Sequence, residues 1–255
     1  MQITYYKEYS RYMGREMEFK VYGSGGVPML ALPCRGGRFY DWEDHGMTVA
    51  AAQFIDSGRL QVFCADSADG ESFLAGGDAR ARAEKAERWF CYLTLELYPR
   101  ILELNGGKAG TVAAAGTDLG AAHALRLWLR RPELFCGVIA LSGEYEAARF
   151  FGQAADDLTL RCGCAELVRS GVFRTPAAPQ MAKGETPAGA PVILCAGRGP
   201  WEDAALASTQ AMAGLLQAAG ADVQLEVWGD DVSHDWAWWQ RQFSLFTARL
   251  LNAVH

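Results

Sequence analysis

Seven runs of mostly apolar residues punctuate the chain: Met17–Tyr22, Pro28–Leu32, Leu60–Asp66, Lys108–Ala115, Gly137–Leu141, Pro191–Ala196 and Asp222–Trp228. Several lack polar alternation, as strands covered on both faces do. Between them lie stretches with helical spacing, at Met47–Ile55, Arg80–Leu104, Leu119–Arg130, Glu202–Ala219 and Asp235–Ala253. This alternation predicts an α/β fold, a mostly parallel twisted sheet with helices on both faces. A further run near residues 2–8 lies close enough to 16–22 to pair with it antiparallel. One segment breaks the rhythm. Residues 150–190 end in Thr175–Pro179 and Glu185–Pro191, both rich in proline. Long insertions of this kind are functional or mobile, which predicts a lid-like insertion in a single domain spanning 1–255. A surface excursion over the sheet edge would read the same way.

Composition narrows the function. Half of the 255 residues are hydrophobic, ample for one large core. The net charge is −6 and the basic residues are scattered, which argues against nucleic acid as a partner. No apolar run reaches membrane-spanning length, so no membrane partner is expected. The first residues carry no signal-peptide pattern, and the seven cysteines have irregular spacing, so the expected location is the reducing cytoplasm. Cys162 and Cys164 form an isolated C-x-C, a poor metal signal, and no metal or cofactor is expected. A small-molecule ligand or substrate is the expected partner, and a homo-oligomer is left open.

The chemistry gathers where predicted strands end, which is where open α/β sheets bind ligands. Gly116-Thr117-Asp118-Leu119-Gly120 follows one strand and opens a helix, the context of a G-x-S-x-G nucleophile elbow with Asp118 at the nucleophile position. An ordinary Asp N-cap would look the same from the pentapeptide alone. The Leu119 amide, at the helix N-terminus, is one candidate oxyanion donor. The turn Pro33-Cys34-Arg35-Gly36-Gly37 follows another strand and can supply a second, from Arg35, Gly36 or Gly37. Cys34 there reads as a small residue that fits before it reads as a reactive thiol. After the strand ending at Ala196 come Glu202 and Asp203. Asp203 is the expected acid that orients a histidine, with Glu202 the alternative. His234 follows the last strand and is the expected base; His123 reads as packed and His45 as a surface residue. Five of the eight tryptophans fall between Trp201 and Trp239. Trp201 and Trp236, with Cys34 and Arg35, are candidates for the pocket wall, although such clusters more often pack a terminal helix.

These motifs resemble the α/β-hydrolase superfamily, and within it the esterases related to esterase D and S-formylglutathione hydrolase. The likeness rests on Gly36–Tyr40, Glu43-Asp44, Gly46-Met47, the elbow, Arg131–Phe135, Gly137–Gly143, Gly199–Asp203, His234–Trp236 and Trp238-Trp239. The resemblance implies a Ser–Asp–His esterase for small acyl esters, with Asp203 as acid and His234 as base. Asp118 stands where that family has serine, and Thr117 and Leu119 flank it where relatives show Cys and Met. A carboxylate attacking an ester would form an anhydride, a poor route. Attack on saturated carbon, as in haloalkanes or epoxides, would give an alkyl ester that water can cleave. Three functions follow: an esterase relative with activity lost or weak and a pocket retained, a hydrolase of carbon–halogen or epoxide bonds, and a non-enzymatic interaction protein.

Overall fold

The computed structural model describes residues 1–152, 156–171 and 191–254. Eight strands form one sheet: β1 (Ile3–Ser10), β2 (Arg15–Tyr22), β3 (Val27–Leu32), β4 (Leu60–Ala65), β5 (Val112–Thr117), β6 (Phe135–Leu141), β7 (Val192–Ala196) and β8 (Val223–Val227). Their spatial order is β1-β2-β4-β3-β5-β6-β7-β8. The pairs β1–β2 and β2–β4 are antiparallel, and the other neighbours are parallel. The antiparallel start and the parallel body are as the sequence pattern predicts.

The helices are α1 (Asp41–Asp44), α2 (Met47–Ala50), α3 (Ala52–Asp56), α4 (Ala79–Cys91), α5 (Tyr98–Leu104), α6 (Leu119–Arg130), α7 (Ala148–Phe151), α8 (Asp157–Leu160), α9 (Cys164–Arg169), α10 (Asp203–Ala218) and α11 (Trp236–Ala253). Period-2 alternation along the strands feeds two apolar layers. Leu30 and Leu32 of β3 join Trp89 of α4, Leu125 of α6 and Leu216 of α10. Met29 and Ala31 face the other way, onto Trp42, Phe243 and Phe246.

Two expected helices differ. The stretch Arg80–Leu104 divides into α4, a π-helical segment Tyr92–Leu97, and α5 with Pro99 in its first turn. Pro99 has no N–H to give the carbonyl of Leu95, and the wider π register just upstream spreads the ladder there. Met47–Ile55 splits at Ala51 into α2 and α3. Of the lid-like segment 150–190, the described part holds the end of α7 together with α8 and α9; residues 153–155 and 172–190 lie outside the described residues. No helix of the described residues is long and apolar enough to cross a membrane. The thiols of Cys162 and Cys164 donate to the Leu158 and Ala122 carbonyls, and no metal-ligand cluster occurs among the described residues.

Candidate active site

Strand β5 ends at Thr117 and α6 starts at Leu119, so Asp118 is the whole turn. Its backbone sits at φ 52 and ψ −121, in a region costly to a side-chain-bearing residue. A Cβ on Gly116 would lie 2.1 Å from the Gly120 carbonyl oxygen, and one on Gly120 would lie 2.2 Å from the Pro33 oxygen. Both glycines are needed for helix and strand to approach, so the pentapeptide is an elbow and not an ordinary cap. Among the described residues three non-glycines have positive φ: Asp118, Ser142 and Trp201. All three belong to this site.

His234 lies on the loop after β8, and its backbone N–H donates to the Pro200 carbonyl. Its Nε2 is 4.0 Å from Asp118 Oδ1, and its Nδ1 is 3.6 Å from Glu202 Oε2. That Nδ1 and that Oε2 are both buried without a hydrogen-bond partner, and they face each other. A shift of about half an ångström would close the bond. Glu202 is 1% exposed, and its other oxygen accepts the Ser142 hydroxyl at 2.5 Å. Ser142 in turn accepts the Trp239 indole N–H at 2.9 Å. The acid beside His234 is therefore Glu202, and not the expected Asp203, which is exposed on the first turn of α10. The left-handed turn at Trp201, φ 68, accompanies this choice: Glu202 ends the loop inward and Asp203 begins the helix outward.

Arg35 changes what the elbow can do. Its Nε donates to Asp118 Oδ2 at 3.2 Å and its Nη2 to Oδ1 at 3.1 Å, a two-point ion pair. Nη2 also reaches Glu144 Oε1 at 3.2 Å, and Glu144 is paired again with Arg149. The Asp118 hydrogen bonds and ion pair raise the Arg35 pKa further above its ordinary value. Cys34 Sγ lies 3.5 Å from Asp118 Oδ2. Burial, and then the Asp118 charge, push that thiol well up, so it stays protonated and donates.

The expected oxyanion donors are placed differently from one another. Leu119 is the first residue of α6, and its amide has no intrahelical partner by position. Gly36 and Gly37 do not offer free amides. The Gly36 N–H donates to Asp69 Oδ2 at 3.2 Å and the Gly37 N–H to the Cys34 carbonyl at 2.8 Å. The Cys34 N–H is likewise held by Asp41 at 3.1 Å. Asp69 also faces His123 Nε2 at 2.9 Å, which ties the β3 loop to α6. His123 is buried between Phe73 and Trp89, as a packed residue, and His45 is half-exposed and stacks on Trp236 at 4.3 Å. Trp236 also meets the edge of Trp239, whereas Trp201 is 82% exposed. Two participants escaped the sequence reading. Glu144 and Ser142 both follow the end of β6, and the signal available was their strand-end position.

A family model described as "Putative esterase" matches residues 10–250. No curated protein sequence matches the chain. Solved structures similar to it include an S-formylglutathione hydrolase from Agrobacterium tumefaciens, at 15% identity, covering 99% of this chain and 95% of that one, with a TM-score of 0.71. The fluorophosphonate-binding serine hydrolase FphF of Staphylococcus aureus superposes with a TM-score of 0.71 at 13% identity, over 98% of both chains. A CE1 ferulic acid esterase from Anaeromyces mucronatus gives 0.68 at 14% identity, over 100% of this chain and 92% of that one. The sheet order, the elbow and the extent of the family match together place this chain in the esterase family of the α/β-hydrolase fold.

Proposed function

We propose that this protein is an esterase-family member in which acyl transfer is lost or very weak and the site is retained to bind a small molecule. The observation that carries the reading is the two-point grip of Arg35 on Asp118. A carboxylate is already a poor nucleophile toward an ester. Here its lone pairs are also engaged by Nε, Nη2 and the Cys34 thiol. Freeing it means breaking two charge-assisted hydrogen bonds, each about 1.5–3 kcal/mol. Arg35 is about one-third exposed, which favours the lower end, and the sum of about 3 kcal/mol is about a hundredfold in rate. The engaged amides of Gly36 and Gly37 withdraw two of the expected oxyanion donors and with them some transition-state stabilisation.

The test compares wild type with Asp118→Ala on a panel of activated aryl esters. Equal, background turnover is expected, together with no labelling of wild type by a fluorophosphonate. Ester turnover that needs both Asp118 and His234 would overturn the proposal. A second reading, attack of Asp118 on saturated carbon, draws support from the elbow backbone and from His234 at 4.0 Å, where it could activate the hydrolytic water. One turnover in heavy-oxygen water with a haloalkane and epoxide panel separates the two. Label in the Asp118 peptide supports the second reading, and its absence supports the first.

A further inference from the structure

The two edges of the sheet are built differently. β8 is a five-residue edge whose Glu226 is tied to Arg249 and Gln224. β1 is eight residues long, pairs with β2 without a bulge from Ile3 to Ser10, and contains neither proline nor glycine. Proteins usually guard such an edge with a bulge, a proline or an outward charge. The charges of β1 lean the other way: Lys7 pairs with Glu16 of β2 at 2.9 Å, and Glu8 with Arg100 of α5 at 3.0 Å. Tyr5 likewise donates its hydroxyl to Glu18 of β2. Ile3, Tyr5 and Tyr9 remain 51%, 48% and 67% exposed.

Backbone parity shows which groups face outward. The carbonyls of Gln2 and Ser10 accept from Gly23 and Gly14, so even-numbered residues turn their N–H and C=O toward β2. The N–H and C=O of a strand residue share a side in an antiparallel ladder. The odd residues Ile3, Tyr5, Lys7 and Tyr9 therefore aim both groups at the open edge.

We propose that β1 is a homodimer interface, in which two copies pair antiparallel about a two-fold axis and extend the sheet across both chains. A two-fold normal to the sheet keeps each residue on its own face, so only residues of like parity can oppose one another. The register that sets Tyr6 against its own copy pairs Ile3 with Tyr9, Thr4 with Glu8 and Tyr5 with Lys7, and spans the whole strand. No like charges meet in it. Sliding by one pleat toward the C-terminus sets Lys7 against Lys7, and by two sets Glu8 against Glu8, which like-charge repulsion disfavours. Self-complementarity in one full-length register is the argument for a second copy as the occupant, over a foreign strand.

The test is solution mass by light scattering at micromolar concentration. Wild type is expected at twice the chain mass of 27.8 kDa. Lys7→Pro removes an outward N–H that no β1–β2 bond uses and should give a single-chain mass, while Lys7→Ala stays dimeric. Should Lys7→Pro misfold, a charge pair on exposed positions tests the register. Ile3→Lys with Tyr9→Lys brings lysines face to face and should lower dimer affinity at least tenfold, whereas Ile3→Lys with Tyr9→Glu should retain it. A monomeric wild type, or equal behaviour of the two double variants, would overturn the proposal.

Discussion

Cys34 and Arg126 show how single side chains report on this molecule. Burial raises the Cys34 thiol most, and the Asp118 carboxylate raises it next. Wild-type Cys34 should therefore resist iodoacetamide near pH 8, and Asp118→Asn should speed its alkylation several-fold, read by peptide mass spectrometry. An unchanged rate would mean that burial alone protects it. Arg126 poses the opposite problem. It is 2% exposed, its Nε has no hydrogen-bond partner, and its guanidinium lies 5.1 Å from the Phe73 ring centroid. Burial lowers its pKa, the mark of a charge held at a cost. Even a buried ion pair replaced by apolar residues of like volume often leaves a fold as stable or more so, by up to about 4 kcal/mol, and a cation lacking that Coulombic repayment has less to lose. Arg126→Met should accordingly raise the denaturation midpoint, and a loss of more than about 2 kcal/mol would show that the ring contacts outweigh the desolvation. Asp118 and His234 could be read from the chain because each follows a strand in a fixed order. Glu202 could not be separated from Asp203, since one backbone dihedral at Trp201 accompanies the choice between them. The Arg35 fork was equally hidden, because it joins residues 83 positions apart through side-chain geometry alone.

At the scale of elements, the elbow depends on contact between backbones. Gly116→Ala places a methyl within about 2 Å of the Gly120 carbonyl oxygen in α6, and Gly120→Ala places one within about 2 Å of the Pro33 carbonyl oxygen, just past the end of β3. Overpacking usually costs about 1–3 kcal/mol, and a rigid backbone neighbour puts these two at or above the upper figure. Urea denaturation would measure it, and a cost below about 1 kcal/mol would mean that α6 can move away from β5, for Gly116, or from the end of β3, for Gly120. The loop after β3 is fixed in a different way, by carboxylates. Asp41 from α1 takes the Cys34 amide, and Asp69 takes the Gly36 amide while facing His123 of α6. The Gly36 bond joins residues 33 positions apart, which is why a turn read from sequence as an oxyanion loop turns out to have that amide engaged. The strands were legible for the converse reason. Each is a local apolar run between turn residues, and only the ends moved, as when Lys108–Ala115 became Val112–Thr117. The broken helix around Pro99 was missed because the apolar spacing continues through it, and periodicity does not register a π segment.

For the molecule as a whole, acid is where the buried network should show itself. His123 is completely enclosed, and burial lowers its pKa below the ordinary 6.5, with Asp69 opposing only in part. The folded ring therefore stays neutral through a range in which the unfolded ring takes up a proton. The unfolded state then binds more protons, so stability rises with pH and falls as pH drops below about 6.5. Asp41 and Asp66 act with the other sign. Burial raises both above the ordinary 3.8, although the Cys34 amide opposes this at Asp41 and Arg38 at Asp66. Their folded forms accept protons before the unfolded chain does, so they add stability as pH approaches 4 from above. His123 acts below about pH 6.5 and the two aspartates act above about pH 3.8 with the opposite sign, so the difference between wild type and a His123 variant isolates the histidine. Urea midpoints at about pH 7, 6 and 5 should therefore decline for wild type and decline less steeply for His123→Gln, which keeps a polar group facing Asp69 but cannot titrate. Parallel slopes would mean that folding leaves the His123 pKa where it is in the unfolded chain, and a wild type that declines less steeply than His123→Gln would mean that the ring is protonated in the fold. The Asp69 link between α6 and the β3 loop would then be a full ion pair, strengthening on acidification where a neutral ring predicts weakening.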